Sequence, residues 1–174
     1  DLGKGIPKKA RVDSYPAVDR YNYIWAFLGD LPENERPPIP ELPFFDDPEL
    51  KRLEGIYEWD VHYARALENG IDFSHGAWVH GGSFGNRDEP EIEDYDVEHH
   101  GEFSSSATIM FKPKKAKGIW SRLYNSGEEQ KPVRVTNRWW MPNVTLLIVE
   151  LPFGQQRLFN AHVPDRKSTR LNSS

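Results

Sequence analysis

Two histidines and a carboxylate lie within the nine residues from Asp72 to His80, in a segment that reads Asn-Gly-Ile-Asp-Phe-Ser-His-Gly-Ala-Trp-Val-His from Asn69 onward. Imidazole and carboxylate groups are common protein ligands of iron and zinc. Asp72 and His75 are three residues apart, a spacing that puts two side chains on one face of a helix. The segment therefore predicts a metal site, with Asn69 as a polar neighbour.

The separation of His75 and His80 by five residues excludes a regular helix as the support for both rings. On an ideal helix of 3.6 residues per turn, the two side chains diverge by about 140°. Either the helix ends near Gly76, or one turn is widened toward i→i+5 bonding, as often happens at functional sites. The glycines at 81 and 82 make a break equally easy.

A pair of histidines is weak evidence by itself, and its neighbours add to its weight. Asn69 and Asp72 lie on the same side of the predicted helix, and a metal-bound imidazole usually donates its second ring nitrogen to such a polar group. The other histidines have no comparable polar neighbours, and we assign them to surface or packing positions. They are His62, His99, His100 and His162.

Composition excludes several classes of protein. The 174-residue chain has 37% hydrophobic residues and six Trp, enough for one ordinary domain, and its net charge of −5 argues against a nucleic-acid surface. It has no Cys, so it can hold neither a disulfide nor a thiolate-bound cluster. No apolar run approaches the roughly 20 residues that span a bilayer. We expect a soluble, cytoplasmic protein.

Both ends of the chain predict a fragment of a longer protein. The first residue is Asp1 rather than Met, and residues 166–174 abandon the apolar alternation that precedes them. We interpret residues 166–174 as a non-native tail and exclude them from the fold prediction.

The pattern of residues 1–48 predicts two strands followed by a connector. Residues 11–18 and 21–28 are strand-like, but residues 1–30 are too few to form a core, which indicates the last strands of a domain that begins earlier. Residues 31–48 contain six prolines, which disfavour helix and central strand and are typical of a stiff, extended connector.

Residues 49–165 predict an α+β domain. Alternating apolar residues predict a strand at 56–62, and a helical stripe from Tyr63 to Trp78 or Val79 follows. Seven acidic residues at 88–98 indicate a solvated loop, and 112–117 a basic turn. Further strands are predicted at 105–111, 133–140, 145–151 and 157–163. Short connections favour an antiparallel sheet, with the helix against or beside one face.

The spacing Asn69-x-x-Asp72-x-x-His75-x-x-x-x-His80 resembles the mononuclear iron motif of the Rieske non-haem iron oxygenases, the α subunits of aromatic ring-hydroxylating oxygenases. Residues 6–18 and 24–30 resemble the closing strands of that family's Rieske domain, and residues 140–143 resemble a strand of its catalytic domain. The resemblance implies a helix-grip (START-like) catalytic domain with an antiparallel sheet, preceded by the terminal strands of a truncated all-β Rieske domain.

The resemblance also implies roles for the motif residues. His75 and His80 would be two ligands of a 2-His-1-carboxylate triad on Fe(II), which leaves positions open for O₂. Asp72 would bridge the iron site to the Rieske cluster of a neighbouring subunit, and Asn69 would lie close to the iron. The third ligand, a carboxylate, is expected beyond the C-terminus. The two Cys and two His of the [2Fe–2S] cluster are expected before Asp1.

The function implied by the resemblance is O₂-dependent hydroxylation or oxidative demethylation of an aromatic or apolar substrate. Its partners would be a ferredoxin or reductase that donates electrons, and two further copies in a homotrimer. The rival interpretation is a helix-grip module that binds a hydrophobic ligand without metal. A zinc hydrolase is disfavoured because no Glu adjoins either histidine. If the chain bound iron without the downstream carboxylate, the candidates for the third ligand would be Glu98, Glu102 and Glu150.

Overall fold

The computed structural model describes residue 10 and residues 12–81, 85–114, 132–151 and 154–164. The chain divides into two compact units, residues Asp1–Gly55 and Ile56–Ser174. The predicted domain limits at residues 30 and 48 are not decided by this division, since both fall inside the first unit.

The first unit contains a small antiparallel hairpin of β1 (Ala17–Arg20) and β2 (Tyr23–Ala26). The strand predicted at 11–18 is therefore shorter and shifted toward the C-terminus, and the one predicted at 21–28 is shorter but in place. Tyr21 and Asn22 form the two-residue turn with φ of 59° and 61°, the left-handed conformation that such turns require. The Tyr21 hydroxyl accepts a hydrogen bond from the backbone N–H of Leu42 at 3.1 Å, so tertiary contacts hold an aromatic residue where glycine or asparagine is usual.

Contacts around this turn hold it against residues 41 and 42 within the first unit. Arg20 donates two hydrogen bonds to the carboxylate of Glu41, at 3.2 and 2.9 Å, and its guanidinium lies 4.7 Å from the centroid of the Tyr21 ring. Leu42 is 1% exposed. Residues 31–48, the predicted connector, contain only a short 3₁₀ helix, Glu33–Glu35, within an otherwise irregular path.

The second unit is built on a five-stranded antiparallel sheet with the order β3–β4–β5–β6–β7. The strands are β3 (Val97–His99), β4 (Ser104–Phe111), β5 (Val133–Trp140), β6 (Val144–Leu151) and β7 (Gly154–Ala161). The predicted antiparallel sheet is confirmed, and β7 begins and ends earlier than the strand predicted at 157–163. The acidic segment 88–98 is not entirely loop, because its last two residues pair with β4 as the start of β3.

Two helices replace the single predicted one: α1 (Tyr63–Ile71) and α2 (His75–Val79). α1 packs against β5 and β6 through its buried residues Ala66 and Leu67. Since side chains alternate across a strand, Asn137 and its pairing partners Ala107 and Leu147 lie on one sheet face, which we call the helix face because α1 covers it.

The segment 56–62, predicted as a strand, belongs to neither sheet that the described residues form. Ile56 and Tyr57 are 96% and 85% exposed. Alternation alone suggested a half-buried strand, but a strand also needs a sheet edge to pair with. His62 ends the segment by capping α1, since its Nδ1 accepts a hydrogen bond from the N–H of Ala64 at 3.2 Å.

In the parts of the chain that the structure covers, we find no helix with the length and apolar character needed to cross a membrane.

Candidate metal centre

The two predicted ligands flank a helix that begins afresh after a break. α1 ends when Asp72 adopts an extended conformation with ψ of 111°, and the Asp72 N–H makes the last helical bond to the carbonyl of Glu68 at 3.0 Å. The Asp72 carboxylate then accepts a hydrogen bond from the N–H of Ser74 at 2.8 Å, a side-chain turn typical of aspartate. The break thus lies just before His75, rather than at Gly76 or as a widened turn.

The break brings the two imidazoles together. His75 is the first residue of α2 and His80 follows its last residue, and their ring centroids are 5.3 Å apart with the planes inclined by 59°. A five-residue helix is short enough that both of its ends can face one point. The expectation that irregular backbone accompanies this pair is confirmed.

One ring nitrogen of His75 is already committed. Its Nδ1 lies 2.6 Å from the backbone carbonyl oxygen of Asp72, which can only accept, so Nδ1 carries the proton and donates. The Asp72 carboxylate is farther away, with Oδ2 at 3.8 Å from Nδ1. Nε2 of His75 is therefore the nitrogen with a lone pair for a metal.

The pair satisfies a simple geometric test for one shared ion. Metal–imidazole bonds of about 2.1 Å place each ring centroid about 3.2 Å from the metal, so two rings on one ion have centroids at most about 6.4 Å apart. The observed 5.3 Å lies inside this limit. Among the described residues, no three His, Asp or Glu side chains are grouped to hold an ion, so neither Asp72 nor Glu98, Glu102 or Glu150 completes a triad with the pair.

His80 is held by close backbone packing that the sequence did not single out. Its carbonyl accepts a hydrogen bond from the N–H of Gly85 at 2.8 Å. A Cβ built on Gly85 would lie 2.4 Å from the carbonyl oxygen of Gly76 and 2.6 Å from the carbonyl carbon of His80. Only glycine fits there, and the clustering of glycines at 81, 82 and 85 was the available signal.

Two cationic side chains bind backbone carbonyls at the end of α2 and just beyond it. Nη2 of Arg87 donates to the carbonyl of Trp78 at 3.1 Å, and Nζ of Lys114 donates to that of Gly81 at 3.3 Å. The last carbonyls of a helix lack intrahelical partners, so such donors stabilise its C-terminal end. These contacts fix the backbone that bears His80.

Beneath the end of α1, the helix face contains buried polar groups. Asn137 is 1% exposed and Thr145 is 2% exposed. The amide Nδ2 of Asn137 donates to the carbonyl of Gly70, and Oγ1 of Thr145 lies 3.1 Å from Nε2 of His162. Burial lowers the pKa of His162. Sequence reasoning missed Asn137, because an isolated Asn in a strand gives no functional signal.

The remaining predicted site residue, Asn69, is exposed, as are two of the histidines that the sequence assigned to surface or packing positions. Asn69 lies in the last turn of α1, with no side-chain hydrogen bond inside the described ranges. His99 and His100 hydrogen-bond to the hydroxyls of Ser105 and Ser106, at 3.0 and 2.7 Å, on the β3–β4 hairpin. These contacts are local to that hairpin.

Known proteins resemble this chain in sequence and in fold. Residues 59–170 match the family model of the vanillate O-demethylase oxygenase C-terminal domain. The toluene-4-sulfonate monooxygenase iron-sulfur subunit of Comamonas testosteroni is 33% identical over 75 residues, 43% of this chain and 22% of that protein. A methylxanthine N1-demethylase of Pseudomonas putida is 37% identical over 93 residues, 50% of this chain and 25% of that protein.

A solved structure supports the same relationship at the level of fold. The crystal structure of dicamba monooxygenase bound to 3,6-dichlorosalicylic acid superposes with a TM-score of 0.59 and 21% identity, over 94% of this chain and 45% of that one. These matches place the chain among the Rieske-type oxygenases, which are oxidoreductases. It belongs to the family of the vanillate O-demethylase oxygenase C-terminal domain. The matched region spans about a quarter of the length of these two relatives.

Proposed function

We propose that this chain forms the iron-binding part of an oxygenase component. The component uses O₂, and electrons relayed through a Rieske [2Fe–2S] cluster, to hydroxylate or oxidatively demethylate an aromatic or similarly apolar substrate. The observation that supports this most directly is the convergence of the His75 and His80 rings, 5.3 Å apart, in a chain of this family.

In this proposal His75 and His80 hold a mononuclear Fe(II) through their ring nitrogens. The Asp72 carbonyl keeps the proton on Nδ1 of His75 and so directs Nε2 to the metal. The Asp72 carboxylate is the bridge toward the cluster, and Asn69 is a polar neighbour of the iron. The third ligand is a carboxylate outside the described residues. When bound, the iron supplies the oxygen chemistry that side chains cannot perform.

The relatives support an aromatic substrate. Their names describe action on toluene-4-sulfonate, on methylxanthine and, for the vanillate O-demethylase oxygenase subunit of a Pseudomonas species that is 30% identical over 80 residues, on vanillate. Each of these compounds contains an aromatic ring, and two of the names specify removal of a methyl group. We assign this chain the same class, hydroxylation or oxidative demethylation of an aromatic substrate.

The proposal extends to organisation and partners. Residues 1–30 are the closing strands of a Rieske domain, residues 31–48 a connector and residues 49–165 a part of a helix-grip catalytic domain. A ferredoxin or reductase donates electrons in the cytoplasm. Three copies form a ring in which Asp72 of one subunit faces the cluster of the next.

The test is the metal content of histidine variants of the full-length protein. We expect His75→Ala and His80→Ala each to abolish mononuclear iron while leaving the cluster absorbance unchanged, because the two rings are ligands of one site only. His99→Ala, which removes a hairpin histidine, is the matched control and keeps both metal centres. Full mononuclear iron in both site variants would contradict the proposal and favour a metal-free binding module.

A further inference from the structure

We infer that Asn137 is a positioning residue for the metal centre, and that it acts by fixing the end of α1 from which the Asp72 and His75 segment leaves. This inference rests on the proposed function of the histidine pair. It assigns a role to a residue on the sheet, outside the sequence segment that contains the site.

The contact is a single hydrogen bond at a sensitive place. Nδ2 of Asn137, on the central strand β5, donates to the carbonyl oxygen of Gly70. Gly70 precedes Asp72 by two residues, and the carbonyl oxygen of Asp72 accepts a hydrogen bond from Nδ1 of His75, 2.6 Å away. Two hydrogen bonds, separated by two residues of backbone, therefore connect the rigid sheet to the imidazole.

The environment of Asn137 argues against a role in stability alone. Its Oδ1 is buried and has no hydrogen-bond partner among the described residues, and the side chain is 1% exposed. A buried polar atom without a partner is unfavourable for folding, so an apolar residue would serve a purely structural purpose better. Such local exceptions are expected mainly at functional sites.

The geometry of the helix end explains why a tether is needed. α1 stops at Ile71 and α2 starts at His75, so regular helical bonding is interrupted in the Asp72 to Ser74 segment. Its backbone hydrogen bonds are those from the N–H of Asp72 to the carbonyl of Glu68 at 3.0 Å and from the N–H of Gly76 to the carbonyl of Phe73 at 3.2 Å. Without Asn137, the last turn of α1 would lose its side-chain hydrogen bond to the sheet, and apolar packing through Ala66 and Leu67 would remain. A shift of this turn would rotate the His75 ring.

The experiment compares Asn137→Leu with Thr136→Val in the full-length protein. Leu has the same number and branching of side-chain heavy atoms as Asn but donates no hydrogen bond. Thr136 is the preceding residue on the opposite sheet face, where its Oγ1 bonds to that of Thr108 at 2.8 Å, so its replacement removes a bond of the same strand away from the site. Asn137→Ser, whose hydroxyl is too short to reach Gly70, provides a second, polar variant.

The readouts are the affinity for mononuclear Fe(II) and its EPR spectrum with nitric oxide as a probe, while the cluster is kept oxidised and EPR-silent. We expect Asn137→Leu and Asn137→Ser to weaken iron binding by about tenfold or more and to change the shape of the EPR signal. Thr136→Val should lower the unfolding midpoint and leave both readouts unchanged.

The inference fails if the Asn137 variants lose thermal stability as Thr136→Val does but keep the wild-type iron affinity and EPR signal. That outcome is distinct from failure of the proposed function, in which His75→Ala would itself retain the iron. Loss of iron in His75→Ala with a wild-type signal in Asn137→Leu would overturn the positioning role alone.

Discussion

At the scale of single residues, Asp72 makes two separable contributions. Its backbone carbonyl accepts a hydrogen bond from Nδ1 of His75, and its carboxylate accepts one from the N–H of Ser74. The first contact fixes the ring of a proposed ligand, and the second shapes the turn between the helices. The negative charge is required by neither, since a neutral amide oxygen accepts a hydrogen bond as well.

The variant Asp72→Asn therefore tests the charge alone. We expect it to keep the turn and both metal centres, and to slow electron transfer from the cluster to the mononuclear iron by about tenfold or more, because it removes the proposed bridging carboxylate. Single-turnover reduction kinetics and iron analysis measure the two effects. Asp94→Asn, in the exposed acidic segment, is the control; equal kinetics in both variants would exclude the bridging role.

At the scale of elements, α2 positions the histidines because it is short and because its far end is clamped. Gly85 packs against the backbone of this helix, the side chain of Arg87 binds the carbonyl of Trp78 within it, and that of Lys114 binds the carbonyl of Gly81 just after it. Neighbouring segments thus determine where His80 points, in addition to the helix that precedes it.

Replacing Gly85 with Ala should disrupt the close packing of Gly85 against the backbone of α2 and His80. A Cβ at 2.4 Å from the Gly76 oxygen forces backbone to move, so we expect a loss of about 1–3 kcal/mol in the free energy of unfolding and loss of mononuclear iron. Urea denaturation and iron analysis of Gly85→Ala measure both quantities.

The control for this experiment is Gly70→Ala. A Cβ on Gly70 would meet Thr145 at 3.8 Å, an ordinary contact, and alanine favours the helix, so stability should rise by about 0.5–1 kcal/mol. If Gly85→Ala were as stable and as rich in iron as Gly70→Ala, the tight packing around α2 would be unimportant.

At the scale of the whole molecule, the partly buried His162 links stability to pH. Burial lowers its pKa from the ordinary value of 6.5, so the unfolded chain takes up the proton at a higher pH than the folded chain. Its contribution to stability is therefore complete above pH 6.5 and is lost as the pH falls from there to the lower folded-state pKa.

We expect His162→Gln to flatten the decline of stability in this range. Urea unfolding midpoints of the wild type and the variant at several pH values between 7.5 and 5, about one unit to either side of the ordinary histidine pKa, provide the comparison. The midpoint of the variant should fall less on acidification. Parallel declines in the two proteins would mean that His162 does not couple folding to proton binding.

The sequence determined those features that depend on residue type and local spacing. The metal-binding residue types at 72, 75 and 80, the need for irregular backbone between them, and the alternation of β4 to β7 all follow from side-chain chemistry and the periods of helix and strand. The motif also indicated the oxygenase family, which the sequence and fold comparisons confirm.

Only the tertiary structure decided what depends on contacts between distant segments. Residues 56–62 alternate like a strand yet pair with none in the described structure, because pairing needs an available edge. The helix breaks at Asp72 rather than at Gly76. At Asp72 a hydrogen bond between its carboxylate and the N–H of Ser74 replaces the helical bonds. The role of Asn137 arises from a hydrogen bond to Gly70, 67 residues away, and no local pattern encodes such a separation.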